Sequence, residues 1–167
     1  MSSAGLIVLQ FAVLAYALVG GAFLAFSDFI MRSLAHTGGA RGVEAMQVIN
    51  REVFRWVFMT LFLGMALTSI ILIGYAAFHL DQPAMPLIGL TGLIYVIGCF
   101  GVTVVFNVPM NEALAKMDLS ADSTQQYWTK IYLPRWTRWN TVRAIACTVS
   151  AGTLLWALIA MAQVPPL

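Results

Sequence analysis

Charge is scarce in this sequence. Of its 167 residues nine are Lys or Arg and seven are Asp or Glu, so 10% are charged while 60% are apolar. A soluble domain carries about 25% charged residues, and this balance excludes an ordinary soluble fold. Histidine occurs twice, as His36 and His79, and the two stand at opposite ends of apolar runs. About one membrane thickness would part them, so they cannot share a metal or a bis-histidine haem. Nothing else has the spacing of a ligand cluster, and no metal centre is expected. Cysteine also occurs twice, as Cys99 and Cys147, near the middle of two apolar runs and without a CxxC pair. That argues against a quinone-linked disulfide oxidase, whose thiols are needed near the outer face, and favours small apolar packing residues. Ser-His-Asp and Cys-His catalysis fail on the same shortage. No glycine-rich phosphate loop is present, and nucleic acid is not an expected partner.

Long uncharged runs are what the chain has instead. Four of them, Gly5–Phe26, Val57–Phe78, Pro86–Phe106 and Ala144–Ala162, are 19 to 22 residues long, close to the roughly 20 that a spanning helix needs. The expected fold is an all-α membrane protein: one four-helix transmembrane bundle over residues 1–167, with two amphipathic connecting helices on its cytoplasmic side. The first run has no basic residue before it, so it does not read as a cleaved signal peptide. All nine Lys and Arg fall in two connections: Arg32, Arg41, Arg51 and Arg55 in the first, Lys116, Lys130, Arg135, Arg138 and Arg143 in the third. The positive-inside rule then puts both connections in the cytoplasm and both termini outside. Expected contacts are the bilayer and the anionic headgroups of its cytoplasmic face, and a homo-oligomer is compatible with the pattern.

The connections differ in length. "HLDQPAMP" is a short turn that makes the second and third spans antiparallel neighbours. After the break at Gly38-Gly39, Val43, Met46, Ile49, Val53 and Phe54 recur at helical spacing, with Arg41, Glu44 and Arg51 mostly opposite. This predicts an amphipathic helix on the inner surface. In the third connection Pro109 is expected to kink or break its helix. A second helix then begins in "SADSTQQYWTKIYL", capped by Ser120 or Asp122, and ends at Pro134. Ala17, Gly21 and Ala25 form a small-residue ladder, and Gly64, Gly98 and Gly101 are further points for close helix packing.

No Asp, Glu, Lys, Arg or His lies deep in a run, which argues against an ion channel, a proton pump or a coupled transporter. Polar residues gather at the inner ends: Ser27 and Asp28, then Asn50, Arg51 and Glu52, then Asn107 and Asn111, then Asn140 and Arg143. In a bundle all four ends would converge on one polar cavity roofed by the connections. Trp136, Asn140 and Arg143 share a helical face, and Trp139 is placed to flank the guanidinium. Trp128, Tyr127 and Tyr132 read as an interfacial belt, whereas the asparagines read as a shared polar network.

"GGAFLAFSDFIMRSL", "MQVINREVF", "FNVPMNEAL" and "WTRWNTVR" resemble, in order and spacing, the anthrone oxygenase family of small, mostly bacterial four-span membrane proteins. The likeness runs over nearly the whole chain and implies a bacterial inner membrane. It also implies oxidation of a lipophilic aromatic or quinone-like substrate by molecular oxygen without metal or flavin. Such a reaction needs a flat aromatic site, a base, and an oxyanion hole. The resemblance then assigns ring contacts to Trp136 and Trp139, substrate contacts to Asn50, Asn107 and Asn111, and the oxyanion to Arg143 and Asn140, helped by Asn107. The family pattern commonly runs Asn-His-Val-Arg, and Thr141 stands where that imidazole would be. Asp28 or Glu52 is therefore the expected base. The alternative is a non-enzymatic binding or assembly subunit that contacts anionic lipid or a partner protein; a small-molecule exporter is weakened by the apolar midplane.

Overall fold

The computed structural model describes residues 3–163, and among them every regular element is helical. Four helices are long and apolar enough to cross a membrane: Ala4–Ala35, Trp56–Ala77, Met85–Ala115 and Asp122–Ala162. The protein is an integral membrane helical bundle. Its elements are α1 (Ser3–Ala25), α2 (Met31–Ala35), α3 (Arg41–Glu52), α4 (Trp56–Ala77), α5 (Met85–Tyr95), α6 (Val108–Ala115), α7 (Asp122–Tyr127) and α8 (Leu133–Ala162). Wide π-helical turns join several of these without a break, at Phe26–Ile30 between α1 and α2 and at Trp128–Tyr132 between α7 and α8. Two more, Val96–Gly101 and Thr103–Asn107, join α5 to α6.

Neither Pro109, expected to kink or break its helix, nor Pro134, expected to end one, interrupts the helix. Pro109 and Pro134 each sit near the start of a helical segment that continues the one before it. Proline has no N–H for the carbonyl four residues back and its ring clashes with that carbonyl. Those carbonyls belong to Val105 and Lys130, and each lies inside a π turn. The wider i→i+5 winding makes room for the ring, so the helix passes through. The second connecting helix is accordingly the first part of a 41-residue helix, roughly 60 Å long. Neither Ser120 nor Asp122 caps it: Ala121 holds the cap position. Ser120 instead donates from its backbone N and Oγ to Asp118 Oδ1 at 2.9 and 2.8 Å, which holds this exposed carboxyl below its ordinary range.

Around the bundle the order is α1, α8, α5, α4, each antiparallel to its neighbours. Tyr16, Val19 and Phe23 of α1, Phe62 and Met65 of α4, Ile88 and Tyr95 of α5, and Cys147 and Leu154 of α8 fill the axis. Buried hydroxyls are satisfied within it. Tyr16 donates to Ser69 Oγ at 2.7 Å, Ser69 to its own helix at Met65 O, and Tyr95 to Phe62 O at 2.9 Å. Close approach falls at Gly98, as expected, and at Gly20 beside the ladder and Gly92, and not at Gly21 or Gly64. A Cβ on Gly20 would meet Cys147 Cβ at 3.0 Å, one on Gly98 would meet Ala146 Cβ at 2.8 Å, and one on Gly92 would meet Ser69 O at 2.5 Å. Ala17 and Gly21 face outward, and Gly21 and Gly64 have open space beside them.

Three of the four long helices overshoot their apolar runs at the same, basic end. A second core forms there from Met31, Val43, Met46, Leu114, Trp128, Tyr132 and Trp136. α3 closes it with the buried face Val43 and Met46 and shows Arg41, Glu44 and Arg51 to solvent, as its periodicity predicts. Its approach is set by Gly38 and Gly39, whose φ of +66° and +59° reverse the chain in the left-handed region. Gly42 then lies against the Leu34 carbonyl, where no side chain fits.

Candidate functional site

Between the two cores lies a polar layer, and Arg143 is its centre. Eight of the nine Lys and Arg side chains are exposed; Arg143 alone is buried, at 5% exposure. Its Nη2 donates to Asn140 Oδ1 at 2.7 Å and its Nη1 to Thr103 Oγ1 at 3.2 Å. The guanidinium carbon stands 4.1 Å from the centre of the Phe23 ring and 5.2 Å from that of Trp136. Among the described residues no carboxylate is paired with it. Among the described residues the ion pair is Arg55–Glu52, 2.5 Å apart and on the surface.

Asn140 is fully buried and ties α8 to α1. Its Nδ2 donates to Phe23 O and to Ser27 Oγ, each at 2.6 Å. Thr141, from an exposed position, donates to Thr137 O and shares a hydroxyl–hydroxyl hydrogen bond with Ser27 Oγ, each at 2.9 Å. The residue in the place of the family's imidazole thus touches the network through Ser27. On the third span Asn107 donates to Trp136 O at 3.3 Å. Two polar atoms in this layer are buried without a partner, Asn107 Oδ1 and Arg143 Nε. An unmade hydrogen bond at a buried polar atom costs about 1–3 kcal/mol, more at a charged one.

A second group of bonds adjoins the first through Trp136. Asn111 Oδ1 accepts from Trp136 Nε1 and from the Tyr132 hydroxyl, both at 2.7 Å, and Asn50 Nδ2 donates to that hydroxyl at 3.3 Å. Trp128, Tyr132 and Trp136 stack in succession, 5.3 and 6.0 Å between ring centres. These rings are 0 to 5% exposed, so Trp128 and Tyr132 belong to the second core and not to an interfacial belt. Spacing of four carries the stripe Trp128, Tyr132, Trp136, Asn140 along one face of a single helix. A helix taken to end at Pro134 hides that stripe.

The candidate residues divide accordingly. Arg143, Asn140, Asn107 and Trp136 come together, with Thr103, Ser27 and Phe23 as partners that spacing alone did not single out as a set. Asn111 and Asn50 reach them through Trp136 and Tyr132. Trp139 does not flank the guanidinium: it lies flat on Phe106, ring centres 3.7 Å apart and planes 5° apart, because its place on α8 faces the third span's outer side. Asp28 and Glu52 are exposed, Glu52 paired with Arg55 and Asp28 without a hydrogen bond among the described residues. Neither expected base is in the network. Three spans, not four, supply its polar groups, while α4 contributes Phe58 and Phe62 against Phe23. Among the described residues no three His, Cys, Asp or Glu side chains gather as a metal would need.

A family model described as anthrone oxygenase matches residues 51–153, more than half of the chain. The stretch runs from the end of α3 through Asn107, Asn140 and Arg143, and is narrower than the likeness read from four motifs, since the first and the start of the second, Asn50 included, lie before it. No curated protein and no solved structure matches the chain.

Proposed function

The chain belongs to the anthrone oxygenase family, and from that premise we propose that it is a cofactor-free oxygenase of lipophilic aromatics, with Arg143 as the group that holds the substrate's oxyanion. The observation that carries this reading is the buried guanidinium, which has no carboxylate beside it among the described residues. An unpaired charge away from water is strongly unfavourable, and inside a membrane protein it marks a site for an opposite charge. Removal of a proton from an anthrone-type methylene places negative charge on the ring ketone oxygen, which suits Arg143. The free Nε–H suits an oxyanion and the free Asn107 Oδ1 suits a hydroxyl. The carbanion carbon then binds molecular oxygen, the adduct loses water, and methylene plus O2 becomes ketone plus water. The electrons balance without a further reductant.

Proton removal is assisted by electrostatics more than by a dedicated side chain. Arg143 lowers the energy of the anion, and the proton leaves past the half-buried Ser27 and the exposed Thr141. The test is oxygen uptake and quinone formation by the protein in nanodiscs with hydroxylated tricyclic ketones. Arg143→Met is expected to lower the catalysed rate about 10²–10³-fold, the usual effect of losing an oxyanion donor, with Arg143→Lys intermediate. Thr141→His in the same assay is expected to add a rate component that rises with pH through about 6.5, because only neutral imidazole accepts a proton. A wild-type rate no higher than that of Arg143→Met would overturn the proposal. It would favour a non-enzymatic subunit, for which the eight exposed cations at one end speak.

A further inference from the structure

One helical turn deeper than Arg143, two sulfurs face each other across the bundle. Cys147 of α8 donates its S–H to Cys99 of the Val96–Gly101 turn, Sγ to Sγ 3.3 Å, and both residues are fully buried. They are 48 residues apart in sequence; tertiary packing alone brings them together. Small residues set the approach. A Cβ on Gly20 would come within 3.0 Å of Cys147 Cβ, and one on Gly98, next to Cys99, within 2.8 Å of Ala146, next to Cys147. The same geometry couples the pair to the polar layer. Arg143 precedes Cys147 by one turn, Thr103 follows Cys99 by one turn, Thr103 donates to Cys99 O at 2.8 Å, and Arg143 donates to Thr103.

We propose that Cys99 and Cys147 are a membrane-buried dithiol site that closes to an intramolecular disulfide with a lipid-soluble organic hydroperoxide, locking the third span onto α8 beside Arg143. One sulfur attacks the peroxide and the O–O bond breaks, leaving a sulfenic acid and an alcohol. The second sulfur displaces water from the sulfenic sulfur and the S–S bond forms. In sum two thiols lose two electrons and two protons, and the hydroperoxide becomes alcohol and water. The guanidinium one turn away partly offsets what burial costs the charge that develops on the attacking sulfur. The sulfurs need move together by little more than about 1 Å to reach the bond length of about 2.05 Å. Thr103 hangs from the Cys99 carbonyl, so closure displaces a partner of Arg143. The inference stands on the packing and not on the oxygenase reading.

The experiment treats the protein in nanodiscs with cumene hydroperoxide, then denatures it without reductant in excess maleimide. Expected is the paired loss of both thiol labels from monomeric chain, a Cys99–Cys147 linked peptide after proteolysis, and recovery of both labels after reduction. Cys99→Ser and Cys147→Ser should each abolish the linked peptide. Two labels unchanged by peroxide would overturn the proposal, as would disulfides found only between chains. Because the linked peptide is read on the wild-type chain, the outcome does not depend on the folding of either variant.

Discussion

Asn140 shows what one side chain does when it has several partners. Its amide nitrogen holds a backbone carbonyl and a hydroxyl of α1, while its oxygen holds Arg143. Asn140→Ala strands the guanidinium donor and leaves a gap at a fully buried position. The expected loss is about 1–3 kcal/mol of stability, seen as a lower thermal midpoint in detergent. Thr141→Ala, one residue on but exposed, should stay within about 0.5 kcal/mol of wild type. Equal melting of the two variants would show that Asn140 does not bind the helices together. The type and position of Asn140 were readable: a buried amide needs partners, and three of the four members of the polar layer share or adjoin one helical face. Which partners it takes was not readable, because Phe23 offers only a backbone carbonyl, a group every residue has.

At the level of elements, glycine position decides how near the helices come. Gly92 has α4 directly against it, whereas Gly64 looks into open space. Gly92→Ala must therefore push α5 from α4, at a cost of about 1–3 kcal/mol. Gly64→Ala should be neutral or stabilising by up to about 1 kcal/mol, as helix propensity alone predicts. Thermal unfolding of both variants checks this, and a Gly92→Ala protein as stable as wild type would sink it. The spacing Ala17, Gly21, Ala25 has the form of a packing ladder, yet α1 turns Gly20 to α8 instead. A 3.6-residue repeat identifies a face and does not say what the face meets. The prolines teach the same lesson about continuity. A single π turn before Pro109 or Pro134 keeps a helix whole, and no local residue pattern announced that turn.

The whole molecule is polarised. Eight exposed cations and the second core lie at one end, and the short connection between α4 and α5 lies at the other. The positive-inside rule predicts that the basic end faces the cytoplasm. Gln82→Cys and Ser123→Cys, both at exposed positions on opposite ends, test this with a membrane-impermeant thiol reagent on intact bacterial cells. Position 82 should label directly and position 123 only after permeabilisation; the reverse pattern would invert the orientation. Since Cys99 and Cys147 are fully buried, they add little background.

Composition and run length by themselves determined that this chain spans a membrane four times, because apolar transfer and the length of a spanning helix are additive along a sequence. They also placed the basic connections and located the polar layer to within a turn, since polar residues are too unfavourable in lipid to lie elsewhere by chance. Only the tertiary structure decided that Asp28 and Glu52 stay outside that layer, that Trp139 pairs with Phe106, and that Thr103 and Phe23 hold the guanidinium. Each depends on helix rotation, and a rotation of one helix about its axis by a few tens of degrees changes which side chains meet while leaving hydropathy untouched. The facing sulfurs of Cys99 and Cys147 are of the same kind: two unremarkable positions in two apolar runs, joined by the way α5 and α8 pack.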